Sequence, residues 1–500
     1  MIARVDTVVT RGFDSVLVTA ECDITKGLPK FNIVGLANKS IAESRERVRA
    51  AIDNSGFSFP TKHITVNLMP ADLPKEGSHL DLAIAISILV ASRQLPQEAV
   101  DGVVFAGELG LNGELHPTRG ALNFAECATR TKHRTIILPQ ENAEQAALIT
   151  SLDVVGATSL DSVYKHLIGE QIISPTPPTV VENNGHYPVS IDDVHGQAAA
   201  KRALEIAAAG HHNILFTGPP GSGKTMMAKA LPGLLPNPTR QEIIDITKLH
   251  SLAGEADGVI TARPFRAPHH TASYVAMVGG GSNVAPGEIS LANDGVLFLD
   301  EIPEFSKQTL ETLRQPLEDR RIRISRAGAK TTYPANFMLL ATMNPCPCGY
   351  YGDPTHECTC TPQQIMNYQK RISGPLLDRI DLFVQVARVP REKLTQPVAE
   401  KDKVLDKWRA DIARARKIAD QRQGMPNSNL SSKQLQKIIR LDPAAKTLLD
   451  NATDKLKLSA RSYFKVIRVA ATIADLDDSP TVAPPHVAEA LRYRQVKSAF

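Results

Sequence analysis

The string GPPGSGKT, Gly218 to Thr225, follows the apolar run NILFT and fits the spacing G-x-x-x-x-G-K-[ST]. That spacing suits a phosphate cradle. Gly221 and Gly223 let backbone N–H groups turn toward phosphate oxygens, with Pro219, Pro220 and Ser222 completing the loop that begins at Gly218. Lys224 brings a point charge to the β- and γ-phosphates, and Thr225 can set its hydroxyl on a magnesium ion at the positive end of the following helix. A second string, GVLFLDE, is an apolar run ending in Asp300 and Glu301. A buried strand of that kind delivers carboxylates beside the phosphate loop, Asp300 to hold magnesium through water and Glu301 to orient and deprotonate an attacking water. A third strand, NFMLLATMNP, ends in Asn344, an uncharged donor for that water or for the γ-phosphate. Arg379 in SGPLLDRIDLF and Arg461 in LSARSYF are further candidates, although an arginine beside a helix is most often a surface residue.

Cysteine chemistry is concentrated in one place. Four of the six cysteines fall in CPCGYYGDPTHECTC, where Cys346-x-Cys348 faces Cys358-x-Cys360 across a loop containing His356. Four thiolates gathered by a short polar loop suit tetrahedral zinc, although C-x-C is tighter than the common C-x2-C knuckle. Reduced thiols or a redox pair are the alternatives, and His356 reads as a loop residue while four cysteines are available. The cluster argues against a secreted disulfide framework and for a reducing compartment.

These residues need elements to position them. Across 500 residues, 42% hydrophobic and 22% charged, roughly three domains are expected. SPTPPTVVENNGHYP reads as a linker, and a second boundary falls near VARVPREKLTQPVAEKDK. The blocks are 1–172, a linker at 173–189, then 190–395 and 396–500. In the first, HITVNLM alternates Ile64, Val66 and Leu68 as a half-buried strand, and LDLAIAISILVAS is a helix too apolar to face water. In the second, short β-rich runs alternate with helices, which implies an α/β core with a parallel sheet. The third is helical, with Leu405, Trp408, Ile412, Ala415 and Ala419 at helical spacing. A net charge of only +4 confines any nucleic-acid surface to a local patch. The longest apolar run, LAIAISILVA, is about half of what a bilayer requires, so no membrane partner and a cytoplasmic location are expected.

With these strings assembled, the chain resembles AAA+ ATPases, and more narrowly the magnesium-chelatase-like ComM/YifB family. GLPKFNIVGL, VNLMPADLPKEG, FAGELGLNGEL, FRAPHHTAS, NPCPCGYYGDP and SGPLLDRIDL carry the likeness along nearly the whole length. The resemblance implies an N-terminal Lon-protease-like (S5 domain 2-like) α+β domain, a central P-loop AAA+ α/β domain and a C-terminal helical lid. It assigns Lys224 and Thr225 to Walker A, Asp300 and Glu301 to Walker B, Asn344 to sensor 1, Arg379 to a trans-acting arginine finger and Arg461 to sensor 2. One departure is Ala471 in AATIADL, where relatives commonly carry arginine.

The same likeness maps an insertion onto PFRAPHHTASYVAMVGGGSNVAPGEIS and a hairpin onto RIRISRAGAKTTYPANF, whose Arg323, Arg326 and Lys330 become candidate DNA contacts. Without the family, a solvated hairpin is the favoured reading. Lon proteases carry serine in P-K-D-G-P-S and lysine in P-x-G-G-L-K; here PKEGSH and PTRGAL put His79 and Leu122 at those places. The dyad is therefore absent, Ser78 is read as a helix cap, and the domain is expected to bind rather than cut. The function implied is an ATP- and Mg²⁺-dependent homo-hexameric helicase on single-stranded or branched DNA, promoting branch migration during integration of transforming DNA. An ATPase subunit for metal insertion into a tetrapyrrole and a nucleotide-dependent scaffold are the alternatives.

Overall fold

The computed structural model describes residues 2–35, 39–181, 185, 187–256, 258–281, 284–326, 329–389 and 404–494. They fall into two compact units, one of residues 1–182 with 240–260 and 325–332, the other of the remainder. Among the described residues no helix is long and apolar enough to cross a membrane.

The first unit is built on β1 (Ala3–Arg11), β2 (Asp14–Thr25), β3 (Lys30–Val34), β4 (His63–Met69) and β5 (Val103–Phe105). A short pair, β6 (Glu108–Leu109) and β7 (Leu115–His116), precedes β8 (Thr135–Pro139) and β9 (Asp153–Ala157). The main sheet has the order β3–β4–β2–β1–β5–β8–β9 and is mixed, antiparallel through β1, β2 and β4 and parallel from β1 to β9. In β4, Ile64, Val66 and Leu68 are buried, as the alternation requires. The helix Asp81–Ala91 is buried at every position from Asp81 to Val90. Its one charge, Asp81, accepts from Arg47 Nε at 2.8 Å.

Ser78 is not a helix cap. Gly77 occupies the cap position of the 3₁₀ turn Ser78–Leu80, and no side chain bonds the free N–H groups there. The Ser78 hydroxyl donates instead to the Glu108 carboxylate on β6, which is a stronger acceptor than a neutral group. The next side chain, His79, is buried, donates from Nε2 to Val8 O at 2.8 Å and stacks on Phe124 with ring centroids 4.8 Å apart. Gly77 is required: φ is +106°, and a Cβ would lie 2.6 Å from His79 Nδ1.

In the second unit, β10 (Ile214–Thr217), β11 (Phe265–Arg266), β12 (Gly279–Gly280), β13 (Ala285–Pro286) and β14 (Val296–Leu299) precede β15 (Arg321–Arg326) and β16 (Ala329–Pro334), whose residues 325–332 count with the first unit, and then β17 (Met338–Met343) and β18 (Leu382–Gln385). Five form a sheet in the order β11–β14–β17–β10–β18, parallel at every pairing. Continuous apolar strands are what a sheet covered on both faces demands, and every residue of β14 and β17 is buried. β12 pairs with β13, and β15 with β16. Helices Leu405–Gln423, Ser432–Ile438, Pro443–Leu456, Ala460–Leu476 and Pro484–Arg492 form the C-terminal part. Ile412, Ala415 and Ala419 are buried, with Leu405 and Trp408 packed against the same core.

Candidate functional site

Because β14, β17 and β10 are neighbours, their carboxyl ends bring three strings together. After β10 the chain turns through Gly221 and Gly223, at φ +74° and +88°, into the helix Lys224–Ala230. Lys224 Nζ donates to Gly218 O (2.7 Å), Pro219 O (3.0 Å) and Asn344 Oδ1 (3.2 Å). Burial lowers the pKa of its ammonium below the ordinary lysine range, with Asp300 and Glu301 acting the other way.

Asp300 is held from two sides. Thr225 Oγ1 donates to Oδ2 at 3.1 Å, and Thr342 Oγ1 on β17 donates to Oδ1. The same Thr342 oxygen accepts the Glu301 N–H at 3.0 Å. Glu301 sits at φ +50°, a left-handed conformation that a residue with a Cβ adopts at a cost. Its Oε1 lies 3.5 Å from Asn344 Nδ2. A magnesium ion fits the Thr225 hydroxyl and Asp300 carboxylate at the helix N-terminus, and a polyphosphate fits the positive-φ glycines and Lys224, whose present acceptors are oxygens.

Arg379 and Arg461 make their contacts around one segment of this unit, residues 375–379. Arg379 donates from Nε to Arg314 O at 3.1 Å and from Nη1 to Pro375 O at 2.5 Å, and its Nη2 pairs with Glu318. Arg461 pairs with the adjacent Asp378 at 3.3 Å. The contacts of both arginines are with Arg314, Pro375, Glu318 and Asp378, rather than with the phosphate loop.

The four cysteines converge, with every Sγ within 4.8 Å of the others. Cys346 and Cys348 are 3.3 Å apart, Cys346 and Cys358 3.7 Å, and Cys348 and Cys358 3.6 Å. All are free thiols. Four sulfurs at zinc-bond length from a tetrahedral centre would be about 3.8 Å apart, so this donor set fits zinc. Burial raises the Cys348 pKa, but N–H groups of Tyr350 and Thr359 outweigh it and bring the thiol down to about 6. The loop also touches the phosphate cradle: at Gly349, φ +88°, a Cβ would sit 2.6 Å from Pro220 Cδ.

Of the candidate DNA contacts, Arg323 is exposed and lines a cavity of about 590 Å³ with Tyr274, Val278, Lys307 and Gln308. The side chains of Arg326 and Lys330 lie outside the described residues. Sequence reasoning missed Thr342, whose signal was a hydroxyl in an apolar strand two residues before Asn344. It also missed Gln197, which donates to Ser222 O at 3.2 Å and Ala387 O at 2.5 Å. Ala471 faces a cavity of about 260 Å³ that Arg422 and Arg440 also line.

Comparison with known proteins accords with this geometry. Residues 190–394 match the family described as magnesium chelatase, subunit ChlI, residues 20–142 match subunit ChlI of Mg-chelatase, and residues 405–494 match its C-terminal family. Competence protein ComM of Haemophilus influenzae is 44% identical over 97% of this chain and 95% of its own. YifB of Escherichia coli is 42% identical with the same coverage. The DNA replication licensing factor Mcm6 of Drosophila melanogaster is 22% identical over 80% of this chain and 47% of its own. Identity at that level over nearly the full length, together with the assembled phosphate loop and carboxylates, makes the chain a member of the ComM/YifB family of magnesium-chelatase-like AAA+ ATPases.

Proposed function

We propose that this chain is a motor that assembles as a hexameric ring, hydrolyses ATP with Mg²⁺ and drives branch migration of DNA while single strands are integrated into a chromosome. The observation that carries the reading is the hydrolytic geometry: Glu301, tied to Thr342 and Asn344, stands beside a held Asp300 and a buried Lys224. A scaffold needs nucleotide binding without that apparatus. ComM is named a competence protein and Mcm6 a replication licensing factor, and both names favour DNA as the partner.

Thr225 and Asp300 would hold Mg²⁺, which when bound would supply positive charge against the phosphates. Glu301 orients and deprotonates the attacking water, Asn344 fixes that water against the γ-phosphate, and Lys224 binds the β- and γ-oxygens. Arg379 reaches the γ-phosphate of the neighbouring subunit, and Arg461 serves as sensor 2 on the helical lid. In a reducing cytoplasm, Cys346, Cys348, Cys358 and Cys360 would hold zinc, which would brace the loop after Asn344. The N-terminal unit acts as a binding domain of Lon-like fold without a serine–lysine dyad.

The test uses Arg323, Arg326 and Lys330. Phosphate contacts on a pore hairpin make DNA binding sequence-independent and steeply salt-sensitive. Replacing all three by Ala should lower DNA binding and branch migration while DNA-free ATPase persists; migration at the parent rate would exclude the hairpin. The family descriptions favour a second reading, metal insertion into a tetrapyrrole. ATPase stimulated by a porphyrin with partner subunits, and indifferent to DNA, would establish it instead.

A further inference from the structure

The segment bearing Arg379 is held by its backbone, from two directions. From the sheet, Asn213, the residue immediately before β10, donates from Nδ2 to Arg379 O at 2.9 Å, and its own carbonyl accepts the N–H of Asp381 at 3.0 Å. From the C-terminal helices, Lys465 Nζ donates to Ile380 O at 2.7 Å and Leu377 O at 3.4 Å. Lys465 belongs to the helix Ala460–Leu476, and its neighbours at helical spacing face the same segment. Arg461 pairs with Asp378. Thr472 Oγ1 lies 2.8 Å from His212 Nε2, and His212 Nδ1 is 3.3 Å from Asp381 Oδ2. Burial would raise the Asp381 pKa, but His212 and the charges of Lys465 and Arg468 hold it below the usual carboxylate range. One helix face thus runs along residues 377–381, and Lys465 is the member that grips the main chain on both sides of Arg379.

We infer that Lys465 is a positioning residue for Arg379: by bonding the carbonyls of Leu377 and Ile380 it locks the arginine's backbone to the lid helix. Movement of that helix then sets how far the guanidinium projects toward the neighbouring subunit. The inference rests on the proposed action of Arg379 in trans. Its consequence is directional. Loss of Lys465 damages hydrolysis at the neighbour's site and leaves the nucleotide site of its own chain intact. A lysine that merely braced its own lid would damage its own site.

The experiment uses full-length chains with Lys465→Met and Lys465→Gln, the second retaining an N–H donor if the first does not fold. Rings of the Lys465 variant alone should lose roughly tenfold in kcat while the Kd for a fluorescent ATP analogue stays within about twofold. Co-expressed with Lys224→Ala chains and purified as mixed rings, they should recover activity, because an intact Lys224 then meets an Arg379 that an intact Lys465 positions. Arg379→Ala chains mixed with Lys224→Ala chains are the control. Recovery for the Arg379 mixture without recovery for the Lys465 mixture overturns the inference and leaves the finger in place. No recovery in either overturns the trans reading itself. Parent kcat in both Lys465 variants overturns the inference about Lys465 and leaves the trans reading untouched.

Discussion

Thr342 shows what one residue does at this site. Its hydroxyl donates to Asp300 and accepts from the Glu301 backbone, so one oxygen fixes both the carboxylate proposed to hold the metal and the proposed base. Thr342→Val keeps the shape and removes both bonds; steady-state assays should show kcat lower by roughly tenfold with little change in KM. Glu301→Gln should bind ATP yet turn over about a hundredfold or more slower, whereas Lys224→Ala should lose productive binding. A Glu301→Gln chain hydrolysing at the parent rate would remove that residue from the mechanism. Gly218 to Thr225, Asp300 and Glu301 were legible because each motif is contiguous and its strand is local. The partner of Ser78 was not, since Glu108 lies thirty residues away and only the folded sheet brings it near. His79 carries a pH signature. Burial lowers its pKa to about 4, against about 6.5 in an unfolded chain. The unfolded state therefore binds more protons between those values. The contribution is complete above about pH 6.5 and is lost as pH falls toward 4, at most about 3 kcal/mol. Protection factors across the helix Asp81–Ala91, that is, exchange rates corrected for the intrinsic slowing of amide exchange at lower pH, should fall between pH 7 and 5 in the parent, and much less so in His79→Gln.

At the scale of elements, the cysteine loop makes the sharpest prediction. Purified protein should carry close to one zinc per chain, lost when Cys346 and Cys358 become Ser; a metal-free, folded protein would sink the assignment. Gly349→Ala separates the loop's packing from its metal. A Cβ there meets Pro220, so ATP affinity should fall several-fold by titration while zinc content holds. The central strands were readable as apolar runs between loops. The helix Arg240–Ala253 was harder: its sequence lies inside the nucleotide-binding block, yet its Ile243 and Ile244 join a core with Leu122 and Leu148 of the first unit. An apolar stripe tells that a helix face is covered, and says nothing of which core covers it.

At the scale of the whole molecule, a finger acting in trans makes hydrolysis a property of the assembly. ATPase per chain should therefore fall on dilution in step with loss of the oligomer, followed by light scattering; a rate per chain independent of concentration would contradict it. The structure of a single chain adds a constraint. Arg379 is not idle in it: the guanidinium pairs with Glu318, whose side chain is 54% exposed. The carboxylate side of the pair is open to water, but the Arg379 side chain is only 14% exposed and also donates to Arg314 O and Pro375 O, so a γ-phosphate has to draw the arginine out of three contacts. On the proposed action in trans, a solitary copy thus keeps its own finger folded against itself. In the proposed motor, ring assembly has to break these contacts, and Glu318→Gln chains should reach full ATPase at lower protein concentration than the parent.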